Sequence, residues 1–408
     1  MPPEPTHAPT QEQYRDAALR CGAWMLRNQV QAVDDANRGR YLQAYFLRFK
    51  RGKSSVGFVP GAKKRRRAQY SVCWTTATAA MAAHMLYERT GDEEYLESAR
   101  LAAGYLKLLQ VLNPRDPDHG LIWHDIPGYG IFGPNRDATT AAWAMTKLSA
   151  PLQDPDLLER ALVYAERFRK ERFDARHAFP LWPNRRAEGR AMGQSCCGGE
   201  FAFLLDLYQA TGETTWLEDL ALPGLDTFAR AFIRPDGELN LTYDFDAQEP
   251  VSPQPDARGY VDRRHVYNDD FSSLALLKAY AITGEKRYLD ATKRYLDWMA
   301  SVQHPDGSFG EPRVYRDASG TVAIELADLH AALGEPVHSQ ALAATGAHLL
   351  SLQVPDTDKS EVAGAFYGLT PWERLPFCCV HLRTSGYAVA ALLKLEAART
   401  YHCYTAAK

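Results

Sequence analysis

The side chains able to move a proton, attack a bond or hold a metal cluster in a few short segments of this 408-residue chain. They are "IWHDIPGYGIF" (122–132), "PNRDA" (134–138), "GQSCCGGE" (193–200), "VYNDDF" (266–271) and "FCCVHLR" (377–383), with "YSVCW" (70–74) upstream. The carboxylates among them are Asp125, Asp137, Glu200, Asp269 and Asp270. Two carboxylates facing a common cavity are the standard equipment for glycosidic bond cleavage: one protonates the leaving oxygen, the other serves as base or nucleophile. Asp137 with Asp269 or Asp270 is the expected pair, and Asp125 and Glu200 are further catalytic candidates. Asp137 and Asp269 read equally well as helix N-caps, whose side chains accept from backbone N–H groups. Trp123, His124, Tyr129, Trp182, Tyr267, Trp372, His381 and Arg383 are the candidate substrate-binding residues.

The seven cysteines are odd in number, and four of them form two adjacent pairs. Neighbouring cysteines rarely bond to each other, so a disulfide framework is excluded and reduced thiols in a cytoplasm are expected. The plain reading is small, buried, inert residues and no cofactor. A zinc site, if the chain had one, would draw on Cys73, Cys196, Cys378, Cys379 and His381.

Composition is that of an ordinary globular protein, 46% hydrophobic and 24% charged with a net charge of −3. No global charge favours nucleic acid or a membrane surface. No apolar run is long enough for a membrane span, the N-terminus has no apolar secretory core, and no phosphate-binding or dinucleotide loop occurs. Between Arg48 and Arg67 lie nine Lys or Arg and no acid. This segment is expected as a solvated loop able to attract an anionic substrate.

Elements that could position these residues show up as a repeated corner. "LYERTGDEEYL", "LYQATGETTWL" and "AYAITGEKRYL" each place Thr-Gly-acid between two helical patterns. Gly suits a left-handed helix end, and the acid suits the next N-terminus. The first helix of each pair is apolar on nearly every side, as buried helices are, and the second carries a polar stripe. Inner helices are expected to start near Cys73, Asp137, Gly198, Phe271, Ala323 and His381. Outer helices are expected over 11–30, 94–112, 155–173, 215–233, 286–303 and 335–352. Six of each predicts an all-α (α/α)6 toroid filling residues 1–408 as one domain, with an open α-solenoid as its rival. Strand signals are confined to hairpins at 237–246 and 307–316. Loops leading from outer to inner helices gather on one face, beside the inner N-termini, where the chemistry-bearing segments also fall.

On this pattern the chain resembles the six-hairpin glycosidase superfamily over nearly its whole length. "IWHDIPGYGIF" is similar to the His-Asp segment of unsaturated glucuronyl hydrolases, which implies an acid/base role for Asp125; the basic segment would suit a uronate. Gln194-Ser195-Cys196 and Cys378-Cys379 resemble the Glu-x-Cys and Cys-Cys motifs that hold zinc in families related to β-L-arabinofuranosidases, with Gln in place of the Glu ligand. "SCCGGEF" and "CCVH" are similar to lanthionine-cyclase segments, and Gln303 to Gly310 to a terpene-cyclase loop. The resemblances imply a carbohydrate-active enzyme acting on a small-molecule or saccharide substrate. A zinc-dependent cyclase or transferase and a non-catalytic toroid binding a peptide or polyanion are the alternatives.

Overall fold

A computed structural model describes residues 8–42, 44–50, 53–57, 70–125, 133–181, 190–254, 263–268, 270–310, 319–356, 361–368, 379–397 and 399–406. Tyr129, Trp182, Asp269, Trp372, Cys378 and the basic stretch 58–67 lie outside these ranges.

The principal helices in chain order are α1 (Gln11–Asn28), α2 (Cys73–Thr90), α3 (Glu93–Leu108), α4 (Arg136–Leu152), α5 (Pro155–Glu171) and α6 (Glu200–Thr211). They continue with α7 (a π-helical start, Thr215–Ala221, running into Leu222–Ala231), α8 (Ser272–Thr283), α9 (Lys286–Ser301), α10 (Ser319–Leu333), α11 (Ser339–Ser351) and α12 (Leu382–Glu396). A 3₁₀ turn, Ser195–Gly199, leads into α6, and one helical turn, Arg264–Tyr267, precedes α8. The alternation matches the expected inner and outer helices, and the fifth inner helix starts earlier, at Ser319, where Ser319, Gly320 and Thr321 are already buried.

Three corners share one construction. Gly91, Gly212 and Gly284 adopt φ of 72°, 74° and 75°. Each donates its N–H to the carbonyl of a tyrosine four residues back, at 2.7, 2.7 and 2.8 Å. The preceding Thr90, Thr211 and Thr283 donate Oγ1 to the i−4 carbonyl and accept the N–H of Asp92, Glu213 and Glu285. A Cβ at these glycines would meet nothing within 4 Å, so glycine is needed there for its left-handed φ and not for space.

The chain divides into two compact units. The first holds residues 1–71, 78–102 and 302–404. In it α1 packs against α12, which also packs against α10 and α11. Gln353 donates to the carbonyls of Ala17 and Gly364, and the Cys21 thiol points at the Ser385 carbonyl. Buried Lys394 pairs with Asp328, and Arg89 with Glu396. Strands β1 (Ala44–Lys50) and β2 (Lys53–Gly57) form an antiparallel hairpin. The expected loop over 48–67 is therefore a hairpin in its first part. The "AYFLRF" run supplies the β-prone residues that a charge-based reading passed over.

The second unit holds residues 72–77, 103–301 and 405–408. In it α4 packs on α5 and α6, and α8 packs on α6 and α9. Strands β3 (Phe173–Asp174) and β4 (Phe179–Pro180) pair, and β5 (Met192–Gln194), β6 (Thr242–Asp244) and β7 (Glu249–Val251) form a three-stranded sheet. The hairpin expected at 237–246 is displaced: its turn lies between Asp244 and Glu249. Over 307–310, the described part of the other expected hairpin, the chain makes no strand. Strand β8 (Cys379–His381), in the first unit, pairs with β1.

Candidate active site

Lone charges in apolar helices must find partners, and in the second unit they do. Asp206 of α6 accepts from Trp143 Nε1 (2.7 Å), Lys147 Nζ (3.1 Å) and Lys278 Nζ (2.8 Å), all buried. Burial works against its charge, but the two ammonium groups prevail and hold the carboxyl down at about 2. This network ties α4, α6 and α8 together.

Asp137, Glu200 and Asp270 sit at the opposite, N-terminal ends of those helices. Asn135 caps α4, its Oδ1 accepting from Ala138 N at 3.0 Å. Asp137 is thus released from the N-cap role and lies in the first turn. Its Oδ2 is 3.2 Å from His124 Nε2, and both side chains are partly exposed, 31% and 25%. The His124 carbonyl accepts from Cys73 N at 2.9 Å, which fixes the loop against the start of α2. The buried Cys73 thiol is pushed well up by burial, and further by the negative charges of Asp137 and Asp125. Asp125 and Asp137 therefore share one neighbourhood around Cys73. Asp125, His124 and Trp123 are all partly exposed.

Arg136, one residue before Asp137, turns the other way. It donates from Nε to the Cys196 carbonyl (3.0 Å) and from Nη2 to the Asp270 carbonyl (2.8 Å), and its Nε lies 3.3 Å from Asp270 Oδ2. Asp270 is buried and takes a positive φ of 53°, followed by Phe271 at 73°. Asn268 donates to its Oδ1 at 3.0 Å and accepts its backbone N–H at 3.2 Å. His265 Nδ1 is 3.4 Å from its Oδ2. The 3₁₀ turn before α6 comes so close that a Cβ on Gly199 would lie 1.9 Å from the Asp270 carbonyl oxygen. That contact, with backbone and not with a flexible side chain, is why glycine stands there.

Glu200 is fully enclosed. Arg172 Nη2 donates to its Oε1 at 2.6 Å and Thr139 Oγ1 to its Oε2 at 2.8 Å. Burial opposes the Arg172 charge, yet Glu200 and then Cys197 raise its pKa overall. Arg172 Nη2 also lies 3.2 Å from Cys197 Sγ. Of the two adjacent thiols, Cys196 is shifted up by its hydrogen bond with Cys197 and by burial, while that same bond, and then Arg172, lower Cys197. Arg136, Thr139, Trp143, Glu200 and Asp270 line a cavity of about 10 Å³, room for one water. A larger cavity of about 640 Å³ lies elsewhere in this unit, lined by Arg230, Arg234, Arg263 and Tyr243 among others and by none of the candidate catalytic residues. Two of its arginines, Arg234 and Arg263, already pair with Glu238.

The remaining predicted residues are placed as follows. Tyr267 stacks on Trp298 with centroids 5.7 Å apart. In the first unit, His381 caps α12: its Nδ1 accepts from Arg383 N at 3.1 Å. Burial, and secondly the Arg383 charge, lower the His381 pKa to about 4, so the ring is neutral. Arg383 is buried, with its guanidinium 5.5 Å from the Tyr387 ring centre. Sequence reasoning did not single out Arg136, Arg172, His265, Lys147 or Lys278. Lys147 in "AMTKL", Lys278 in "LLKAY" and Asp206 in "LLDLY" carried a usable signal, since an isolated charge in an apolar helix has to be paired.

No protein-family model matches the chain, and no curated protein matches it. Solved structures similar to it include an inactive variant of an α-1,6-mannanase from Salegentibacter sp. HEL1_6, in complex with α-1,6-mannotriose. It is 15% identical with a TM-score of 0.62, over 94% of this chain and 99% of that one. The unsaturated glucuronyl hydrolase of Bacillus sp. GL1 is 17% identical with a TM-score of 0.62, over 95% and 97%. A sugar epimerase from a ruminal bacterium is 11% identical with a TM-score of 0.67, over 94% and 98%. These likenesses establish the fold alone, an (α/α)6 toroid, as the repeated corners predict. No helix among the described residues is long and apolar enough to cross a membrane.

Proposed function

We propose that the protein is a carbohydrate-active enzyme that cleaves a glycosidic bond, with Asp125 and Asp137 as its acid/base carboxylates. The observation that carries this reading is the contact of His124 with Asp137, which brings the neighbouring Asp125 to the same region; both carboxylates are partly exposed and the charges of both act on Cys73. One carboxyl would protonate the glycosidic oxygen as its bond to the anomeric carbon breaks; the other would take a proton from the water that attacks that carbon. In this reading Asp270 and Glu200 are positioning groups. Their oxygens are engaged by Arg136, Asn268, Arg172 and Thr139 and face the interior, so neither meets substrate. The fold-mates favour a saccharide over the cyclase and ligand-binding alternatives, because the mannanase structure contains a mannotriose. A uronic-acid unit is the proposed substrate class. It is supported by the basic segment from Arg48 and by the likeness to a glucuronyl hydrolase whose own role is glycosaminoglycan degradation.

A panel of aryl glycosides and unsaturated uronides tests this. Turnover of at least one member is expected, with Asp137→Asn and Asp125→Asn each lowering kcat/KM by roughly 10²–10⁴-fold at unchanged circular dichroism. No turnover of any member, or wild-type rates in both variants, would sink the assignment.

A further inference from the structure

We infer that Cys196, His265 and Asp270 form a binding site for one thiophilic divalent cation of the zinc type. One donor atom from each lies within 4.8 Å of the other two. A sulfur, an imidazole nitrogen and a carboxylate oxygen are the mixed, borderline-soft set that zinc takes, and three protein ligands with an open fourth position is its catalytic pattern. With metal–ligand bonds near 2.1–2.3 Å, two donors on one tetrahedral zinc stand roughly 3.4–3.7 Å apart. His265 Nδ1 and Asp270 Oδ2 are already 3.4 Å apart. A closing of at most roughly 1.1–1.4 Å from the 4.8 Å bound brings the sulfur to the same spacing.

The surroundings are those of a held ligand set. Arg136 and Asn268 orient the Asp270 carboxylate; ligation through His265 Nδ1 would replace its present contact with the Asn268 carbonyl at 3.2 Å. Partners of this kind fix first ligands in metal sites. Gln194 Oε1, 3.6 Å from Cys196 Sγ, is a further oxygen donor at the rim. Coordination replaces the Sγ proton, which leaves to solvent; thiolate plus carboxylate then offset the dication, and Arg136 beside Asp270 leaves the site with one net positive charge. The site differs from the cysteine set expected from sequence, because Cys196 is grouped here with an imidazole and a carboxylate from the 265–270 segment. It is also independent of the Asp125–Asp137 assignment.

Cobalt(II) is the probe. The purified full chain, stripped with chelator and titrated with Co(II), is expected to retain one ion per chain and to show a thiolate-to-cobalt charge-transfer band. Zn(II) should abolish that band stoichiometrically. Cys196→Ala should lose the band, and Cys197→Ala should keep it. Losing an outer-shell partner alone weakens metal binding 10–100-fold, so His265→Gln should weaken it by more than about 100-fold. If Cys196→Ala does not fold, His265→Gln carries the test by the same titration. Failure of the wild-type chain to retain Co(II), an undiminished band in Cys196→Ala, or unchanged affinity in His265→Gln overturns the inference. None of these readouts depends on turnover, so they stand or fall apart from the proposed activity.

Discussion

Glu200→Gln separates a structural carboxylate from a catalytic one. The substitution keeps the shape of the side chain and its carbonyl acceptor but removes the charge opposite Arg172. Arg172 has 5% of its side chain exposed and Glu200 has none, so bulk water does not solvate the stranded charge. Breaking a buried ion pair from one side costs about 3–5 kcal/mol, because the remaining charge is left uncompensated. Arg172 keeps the Leu181 carbonyl at 2.7 Å and Cys197 Sγ at 3.2 Å, which argues for the lower half of that range. Unfolding entropy of about 2.1 cal/mol/K per residue, taken over a chain that unfolds as one unit, converts this into a Tm loss of roughly 3–5 °C. Differential scanning calorimetry measures it. Arg172→Met added to Glu200→Gln should recover part of the loss, since the stranded cation is gone. Activity on the best substrate should change little below the melting range. A Glu200→Gln protein with an unchanged Tm and a hundredfold lower kcat would refute the reasoning and make Glu200 a catalytic group.

Two further outcomes concern acid. Asp206 has its pKa depressed to about 2 from an ordinary 3.8, so its contribution is complete above about pH 4 and fades as pH falls towards 2. Asp206→Asn should cost about 3–5 kcal/mol near neutral pH by stranding Lys147 and Lys278, and should flatten the denaturant midpoint against pH over that window. His381 has its pKa depressed to about 4 from 6.5, so its contribution is complete above 6.5 and is lost as pH falls through 4. His381→Asn keeps an N-cap acceptor for the Arg383 N–H but cannot titrate, so urea titrations from pH 7 to 4 should show a smaller loss of stability than in the wild type.

The fold was legible because its signals are local. A Thr-Gly-acid corner is three residues long, and the contrast between an all-apolar and a striped helix is read within one element. The site was legible only by class. Asp137 lies at the start of an inner helix, as expected, but a partner for it could not be read. The proposed preference for Asp125 over Asp270 rests on Arg136 and Asn268 holding the Asp270 carboxylate. The Arg136 contact joins positions 134 residues apart. The charge run misled in its described part, 48–50 and 53–57, for a related reason: charge density speaks to solvation, while strand pairing in β1 depends on β8, more than 300 residues away.

Closure of α1 on α12 has a consequence for the order of folding. The Cys21–Ser385 contact joins residues 364 positions apart, and Arg20–Gln353 joins residues 333 apart. Loop-closure entropy grows as (3/2)RT ln n, about 5 kcal/mol at that separation against roughly 2–3 for a two-helix hairpin. Hairpins built around Gly91, Gly212 and Gly284 close cheaply and early, while the seam waits until most of the chain between its two sides is already shaped. A substitution in the seam should thus speed unfolding more than it slows folding, and one in the corners should do the reverse.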